Sequence, residues 1–306
     1  VGSLRILAND GMDKIAVDVL VEAGNFVDTN HYDGDALVEK MRNSDVIIIR
    51  SATKIRKALI DQIKGGDLKL MIRAGVGIDN IDHVYAEENG FTVKNTPNSS
   101  SAAVAELAIA HIFALSRHIH VANVTMKKGE WNKKHYSGTE INGKILGLVG
   151  MGRISHEVAI RAKGLGMTVV YTDLFSKPEK YPDLEYLTLE ALLKRSDYIS
   201  LHIPYDKTKG ATIKKEQFEL MKDGVYLINT ARGGVIDEKA LLDALNNGKV
   251  AGAGIDVFEE EPTLNQALVD HPKVSCTPHI GASTAEAQER IGFETIEVIN
   301  NFFNIN

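Results

Sequence analysis

"ILGLVGMGRISHEVAIRAKGLGMTVVYTD", residues 145–173, decides the fold. It opens with an apolar run ending in Gly150, the pattern of a strand buried on both faces. Gly152 follows, and a helical pattern starts at Arg153. A second apolar run, "TVVYTD" (168–173), closes on Asp173. Strand, glycine turn, helix, strand and terminal acid together make a dinucleotide-binding βαβ unit. Gly150 permits the tight turn, and Gly152 lets a pyrophosphate approach backbone amides at a helix N-terminus. Asp173 stands 21 residues beyond Gly152, where an acid binds the ribose hydroxyls of NAD and repels the 2′-phosphate of NADP. Ser155 replaces the third glycine of the pattern, and a small hydroxyl is expected to be tolerated there. The expected cofactor is NAD.

Outward from this unit, short apolar runs alternate with helical patterns. Strands are expected at 4–8, 46–50, 70–74 and 91–95, with helices at 13–23, 35–42 and 56–63 between them. A second series of strands is expected at 145–150, 168–173, 198–203, 225–231 and 251–257. Helices near 153–165, 188–195, 214–221 and 237–247 separate these. Continuous apolar strands joined by helices imply parallel sheets covered on both faces, and two series imply two doubly wound α/β domains. A long Ala-rich helix is expected over 101–120, after a hinge at Pro97, and another from Ser283 onward.

With 306 residues, the chain is long enough for two domains. Its net charge of −6 gives no support for nucleic-acid binding. The single cysteine, Cys276, excludes an internal disulfide and fits a reducing compartment. No apolar run approaches the roughly 20 residues of a membrane helix. The opening "VGSLRILAND" is too short and polar for a signal peptide, so a cytoplasmic location is expected. "HEVAI" (156–160) lacks the second histidine of a zinc-protease helix, and "HIH" (118–120) lacks a carboxylate at ligand spacing. No metal is expected.

Three further stretches carry chemistry. In "NTARGGVIDE" (229–238) a strand ends at Arg232, where ligands of parallel sheets bind. An arginine there suits capture of a carboxylate, the alternative being an ion pair to Asp237 or Glu238. "DVFEEEP" (256–262) and "TPHIG" (277–281) leave successive strands on that same edge. A glutamate bonded to a histidine orients the imidazole and favours its protonated form, which makes an acid–base pair. Residue types alone leave open which of Glu259, Glu260 and Glu261 does this.

Over nearly its whole length the sequence resembles the D-isomer-specific 2-hydroxyacid dehydrogenases. The resemblance is carried by "RAGVGIDNID" (73–82), "NTPN" (95–98), "GMGRIS", "NTARGGVIDE", "DVFEEEP" and "TPHIGAST". "RSATK" (50–54) and "HIGASTAEAQERIG" (279–292) make it most similar to the D-3-phosphoglycerate dehydrogenase branch. Here the chain would lack that branch's C-terminal regulatory domain. The resemblance implies that Arg232, Glu261 and His279 are catalytic, with Glu259 and Glu260 facing solvent. It implies cofactor contacts from Arg153 and Ile154 at the pyrophosphate, from Asp173 at the ribose, and from Ile203 and Pro204 beside the adenine. Thr230 and Ala231 would pass the nicotinamide, Asp256 would lie near its carboxamide, and Val76, Arg232, His279, Gly281 and Ala282 would also contact the cofactor. Amides of Gly75, Val76 and Gly77 would take the substrate carboxylate, Arg50 and Arg73 its phosphate, and Ser51 would also contact the substrate. Lysines of "KKGEWNKK" (127–134) would face either solvent or a neighbouring subunit's substrate.

The implied fold has a substrate domain of 1–98 plus 281–306 and an NAD-binding domain of 99–280, with a cleft between them. A homodimer or homotetramer is expected, with the Ala-rich helix in the dimer contact. The implied activity is NAD-dependent oxidation of D-3-phosphoglycerate. The alternatives are a glyoxylate or hydroxypyruvate reductase, and an NAD(H)-sensing binding protein of the same fold.

Overall fold

The computed structural model describes residues 3–175 and 178–305 and divides into two compact units, 1–100 with 282–306, and 101–281.

The first unit carries β1 (Arg5–Ala8), α1 (Lys14–Glu22), β2 (Phe26–Asp28), α2 (Gly34–Arg42), β3 (Val46–Ile49), α3 (Lys57–Ile63), β4 (Leu70–Arg73), α4 (His83–Glu88) and β5 (Thr92–Asn95). Its five strands are all parallel, in the order β2-β1-β3-β4-β5. The "VIII" of β3 is wholly buried because helices cover both sheet faces. Leu37, Met41, Ile60 and Ile63 pack on one face, and Leu20 with Ile299 on the other.

The second unit begins with α5 (Ser101–Ser116) and α6 (Ile119–Lys127), followed by β6 (Ile145–Val149), α7 (Arg153–Gly164), β7 (Thr168–Thr172), β8 (Glu185–Tyr186), α8 (Leu189–Arg195) and β9 (Tyr198–Leu201). Then come α9 (Lys215–Leu220), β10 (Val225–Asn229), α10 (Glu238–Asn246), β11 (Val250–Ile255), α11 (Gln266–Val269) and β12 (Val274–Cys276). Its sheet runs β12-β11-β10-β9-β6-β7-β8, again parallel throughout. The chain then re-enters the first unit as α12 (Ala285–Phe303). There α12 lies so close to α1 that a side chain on Gly292 would stand 2.6 Å from the Ala16 Cβ.

Strand order reverses between β1 and β3 in the first unit and between β6 and β9 in the second, and ligands of doubly wound sheets bind outside such switch points. In the second unit this position belongs to Gly150. Its φ is 93°, and a Cβ on it would lie 2.4 Å from the His202 carbonyl oxygen, so only glycine fits.

The helix expected over 101–120 breaks. α5 ends at Ser116, His118 takes a left-handed φ of 55°, and α6 departs at 66°. Two carbonyls that would extend α5 are diverted, Ala114 to the His120 ring at 3.2 Å and Ser116 to the Thr139 N–H at 2.9 Å. Among the described residues no single helix is long and apolar enough to cross a membrane. The edge strands β2 and β8 and the short helix α4 are absent from the sequence expectation, being too short to show a period.

Ser155 is fully buried in the first turn of α7, and its hydroxyl has no partner among the described residues. A buried unpaired hydroxyl is unfavourable by about 1–3 kcal/mol. Ser155→Ala is therefore expected to raise the unfolding free energy by roughly 1 kcal/mol, measured by urea denaturation.

Candidate active site

The site in the second unit is assembled from strand ends. β10 runs into Thr230-Ala231-Arg232, where Asn229 holds the turn: it accepts the Ala231 N–H at 3.0 Å and donates to the Arg232 carbonyl at 2.9 Å. The half-buried Arg232 guanidinium donates to the Ala231 carbonyl at 2.7 Å. Gly233 comes next because the backbone is pressed against the loop after β11. An added Cβ would fall 1.6 Å from the Phe258 carbonyl oxygen. This close approach puts the arginine turn beside the glutamate loop.

Of the three glutamates, Glu261 meets the histidine. Its Oε2 accepts from His279 Nδ1 at 2.7 Å, and its Oε1 accepts the Phe258 N–H at 3.1 Å. A carboxylate only accepts, so Nδ1 carries the proton and Nε2 is left as the basic nitrogen. Burial pushes the Glu261 carboxyl up, but the His279 hydrogen bond and charge, the Phe258 N–H and the Arg232 charge outweigh it and hold it below its ordinary value. Glu259 is not merely solvent-facing. Its side chain accepts the Glu238 N–H at 2.9 Å, and its own N–H donates to Glu238 Oε1 at 2.7 Å, tying the loop to the start of α10. The candidate ion-pair partners of Arg232 are engaged in the same region. Asp237 caps α10 through the Ala240 N–H, and Glu238 also accepts from Asn265.

Asp256 lies behind His279, fully buried. Its carboxylate takes the Thr277 hydroxyl at 2.7 Å and the N–H groups of Ile280 and Gly281 at 2.8 and 3.0 Å. Both oxygens are thus occupied by the segment that carries His279. Burial holds the Asp256 carboxyl above its ordinary value despite these donors. His111, which the sequence reading passed over, continues the network. Its ring nitrogens lie 3.0 Å from Ser275 Oγ and 3.1 Å from Thr277 Oγ1, and burial lowers its pKa to about 4, leaving it neutral.

The residues fit a dinucleotide. Gly152, at the N-cap of α7, has open space where a side chain would be. Asp173 accepts the Met151 N–H of the glycine turn at 3.1 Å. Ile203 and Pro204 follow β9 after His202, Ile203 lying against Gly150. Thr230 Oγ1 is buried without a partner among the described residues, as a group kept for a ligand would be. His202 also escaped the sequence reading. It is half-buried, with Nε2 at 2.8 Å from Ser200 Oγ, and desolvation of the ring lowers its pKa to about 4.

The first unit carries two loops on adjacent strand ends. After β4, three successive carbonyls are engaged: Ala74 by Arg73 Nη1 at 3.1 Å, Gly75 by the Thr96 N–H at 3.0 Å and Val76 by Asn95 Nδ2 at 2.5 Å. The N–H groups of Gly75, Val76 and Gly77 have no partner among the described residues. Arg73 lies over this loop, its Nη1 1.4 Å from where a Gly75 Cβ would stand. After β3, the Arg50 guanidinium and the N–H groups of Ser51 and Ala52 likewise have no partner among the described residues.

The family model of "D-isomer specific 2-hydroxyacid dehydrogenase, NAD binding domain" matches residues 109–281. The chain belongs to this family. It is 45% identical over 299 residues to a hydroxypyruvate reductase of Thermotoga maritima, covering 96% of this chain and 97% of that one. It is 42% identical over 300 residues to a D-3-phosphoglycerate dehydrogenase of Bacillus subtilis, covering 97% of this chain but only 57% of that one. Among solved structures, the D-lactate dehydrogenase of Aquifex aeolicus, complexed with NAD and lactic acid, superposes with a TM-score of 0.85. The identity is 31%, and 98% of this chain and 95% of that one are covered. As in its family, the 109–281 region is an NAD-binding domain, and the activity is that of a D-2-hydroxyacid dehydrogenase.

The lysines at 127, 128, 133 and 134 are exposed. The ring of His118 meets the Ser137 carbonyl, and that of His120 meets those of Ala114 and Pro272.

Glu261→Gln is expected to lower turnover sharply, whereas Glu259→Gln leaves it unchanged, in steady-state assays of both. Because Glu261 is lowered, its stabilising pairing is complete above the unfolded carboxylate range and is lost as pH falls through the lowered value. Unfolding scans from pH 7 downward should show that acid-side loss in the parent chain and a smaller one in Glu261→Gln.

Proposed function

We propose that the chain interconverts D-3-phosphoglycerate and 3-phosphohydroxypyruvate with NAD. The observation that carries this reading is the pair of loops on the neighbouring strands β3 and β4, each with amides left unpaired. Strands in a sheet stand about 4.8 Å apart, so the two loops suit a small molecule with two anionic ends. The Gly75–Gly77 amides would take the carboxylate, and Arg50 with the Ser51 amide the phosphate. Arg73, folded on its own loop, would brace the carboxylate seat. NAD, when bound, accepts the hydride that leaves C2. His279 Nε2 takes the C2 hydroxyl proton, Glu261 stabilises the imidazolium that results, and Arg232 draws on the substrate's carboxylate and carbonyl oxygens. Asp256 and Thr277 hold the His279 segment in place while this happens.

A second reading has its own support. The hydroxypyruvate reductase of T. maritima matches along nearly its full length and at higher identity than the phosphoglycerate dehydrogenases. In that case Arg232, Glu261 and His279 keep their roles on an unphosphorylated acid.

NADH oxidation with 3-phosphohydroxypyruvate, hydroxypyruvate and glyoxylate separates the two. The expected result is a kcat/KM at least about tenfold higher for the phosphorylated acid, lost in Arg50→Ala by about 10–100-fold, the worth of a charged hydrogen bond. A preference for hydroxypyruvate would decide for the second reading. His279→Ala should reduce turnover on every acid by about 10²–10⁴-fold; near-normal turnover would reject the mechanism.

A further inference from the structure

Asp10 and Asn80 take no part in the chemistry above, yet both are committed to the loop Arg50–Thr53. Asp10 follows β1 and Arg50 follows β3, so this loop stands at the switch point of the first unit's sheet. The Asp10 carboxylate, 3% exposed, accepts the Arg50 N–H at 2.7 Å, the Thr53 N–H at 3.0 Å and the Thr53 hydroxyl at 2.5 Å. From the other side, the Asn80 amide donates to the carbonyls of Arg50 at 2.6 Å and Thr53 at 2.9 Å. Asn9 joins in, donating to Thr53 Oγ1 at 2.9 Å. Both ends of the loop are therefore satisfied within the unit, while the Ser51 and Ala52 amides between them are not.

Charge makes this arrangement informative. An anion placed behind an anion seat opposes binding by Coulomb's law, so Asp10 does not serve as an attractor. What it supplies is geometry. A carboxylate has two acceptor oxygens and can gather three donors at once, which a side-chain amide with one oxygen cannot match. Held at both ends, the loop loses little freedom when its middle amides and Arg50 close on a ligand, and such pre-organisation raises affinity.

We infer that Asp10 and Asn80 are positioning residues that set the specificity of this loop for a phosphate monoester at the end of the substrate remote from the reacting carbon. The inference rests on the phosphorylated-substrate reading, and touches its specificity rather than its chemistry. Neither residue contacts the substrate; both act through the Arg50–Thr53 backbone.

The test is steady-state kinetics of the full chain with NADH, comparing the parent with Asp10→Asn and Asn80→Ala. In each variant the KM for 3-phosphohydroxypyruvate should rise about tenfold, with kcat and the KM for hydroxypyruvate each changing less than about threefold. A double variant should add little, because both residues hold one loop. Equal loss on both acids would reduce the two residues to general scaffolding and overturn the inference. Tighter binding of the phosphorylated acid by Asp10→Asn would also overturn it, since only the charge would then matter. Inorganic phosphate, as a competitive inhibitor of hydroxypyruvate reduction, gives a readout independent of the substrate. If the parent shows no preference for the phosphorylated acid, the proposed function falls. The seat itself still stands if phosphate inhibits the parent and does so about tenfold more weakly in both variants. No inhibition of the parent, or equal inhibition in all three, overturns the seat as well.

Discussion

The hydrogen bonds that gather around the buried Asp256 carboxylate hold the chemistry of the second unit in place. A carboxylate out of water is unfavourable unless donors surround it, and here a hydroxyl and two backbone N–H groups do so. Its carboxyl is nonetheless held above the ordinary range by burial. An acid with a raised folded value gives up stability as pH rises through that range, so ionising Asp256 lowers the stability of the fold. What the chain obtains is a fixed 277–281 segment. On it His279 takes a left-handed φ of 53°, and its N–H donates to the Asp256 carbonyl at 2.9 Å. The imidazole is thereby turned toward Glu261.

The same solution recurs in the first unit. Parallel strands end on one edge of a sheet, and past that edge the backbone leaves its ladder with polar groups that need partners. Asp10 and Asn80 satisfy the ends of the loop after β3, and Asn95 with Arg73 ties down carbonyls of the loop after β4. Side chains that gather backbone groups at a loop's flanks leave the amides in its middle for a ligand. Asp256 in one unit and Asp10 in the other are both buried acids one or two residues past a strand, and both organise a loop without being exposed enough to meet a substrate directly.

Much of the architecture was legible in the sequence because it depends on local period and residue type. The strands of both sheets are nearly continuous apolar runs, and Gly150, Gly152 and Asp173 fall at spacings that a βαβ unit requires. The family resemblance further singled out Glu261. The places where local reading failed have long-range causes. The helix beginning at Ser101 stops at Ser116 because Thr139, more than twenty residues away, takes a carbonyl that the next turn would have needed. Glu259 is engaged with Glu238 as well as with water because α10 starts beside its loop. β2 and β8 are strands only because neighbours pair with them.

Sequence alone determined the chemistry available: a glycine turn for a dinucleotide, an acid suited to NAD, and an arginine, glutamates and a histidine beyond successive strands. Tertiary structure decided which of these groups meet and which polar atoms stay unpaired. Glu261 rather than Glu259 reaches His279 because Gly233 lets the Phe258 backbone close against the arginine turn. Among the described residues, the amides of Ser51, Ala52 and Gly75–Gly77 are left unpaired while distant side chains satisfy their neighbours. Hydrogen-bond partners separated by tens of residues leave no periodic trace in a sequence, and so that pattern appears only once the chain has folded.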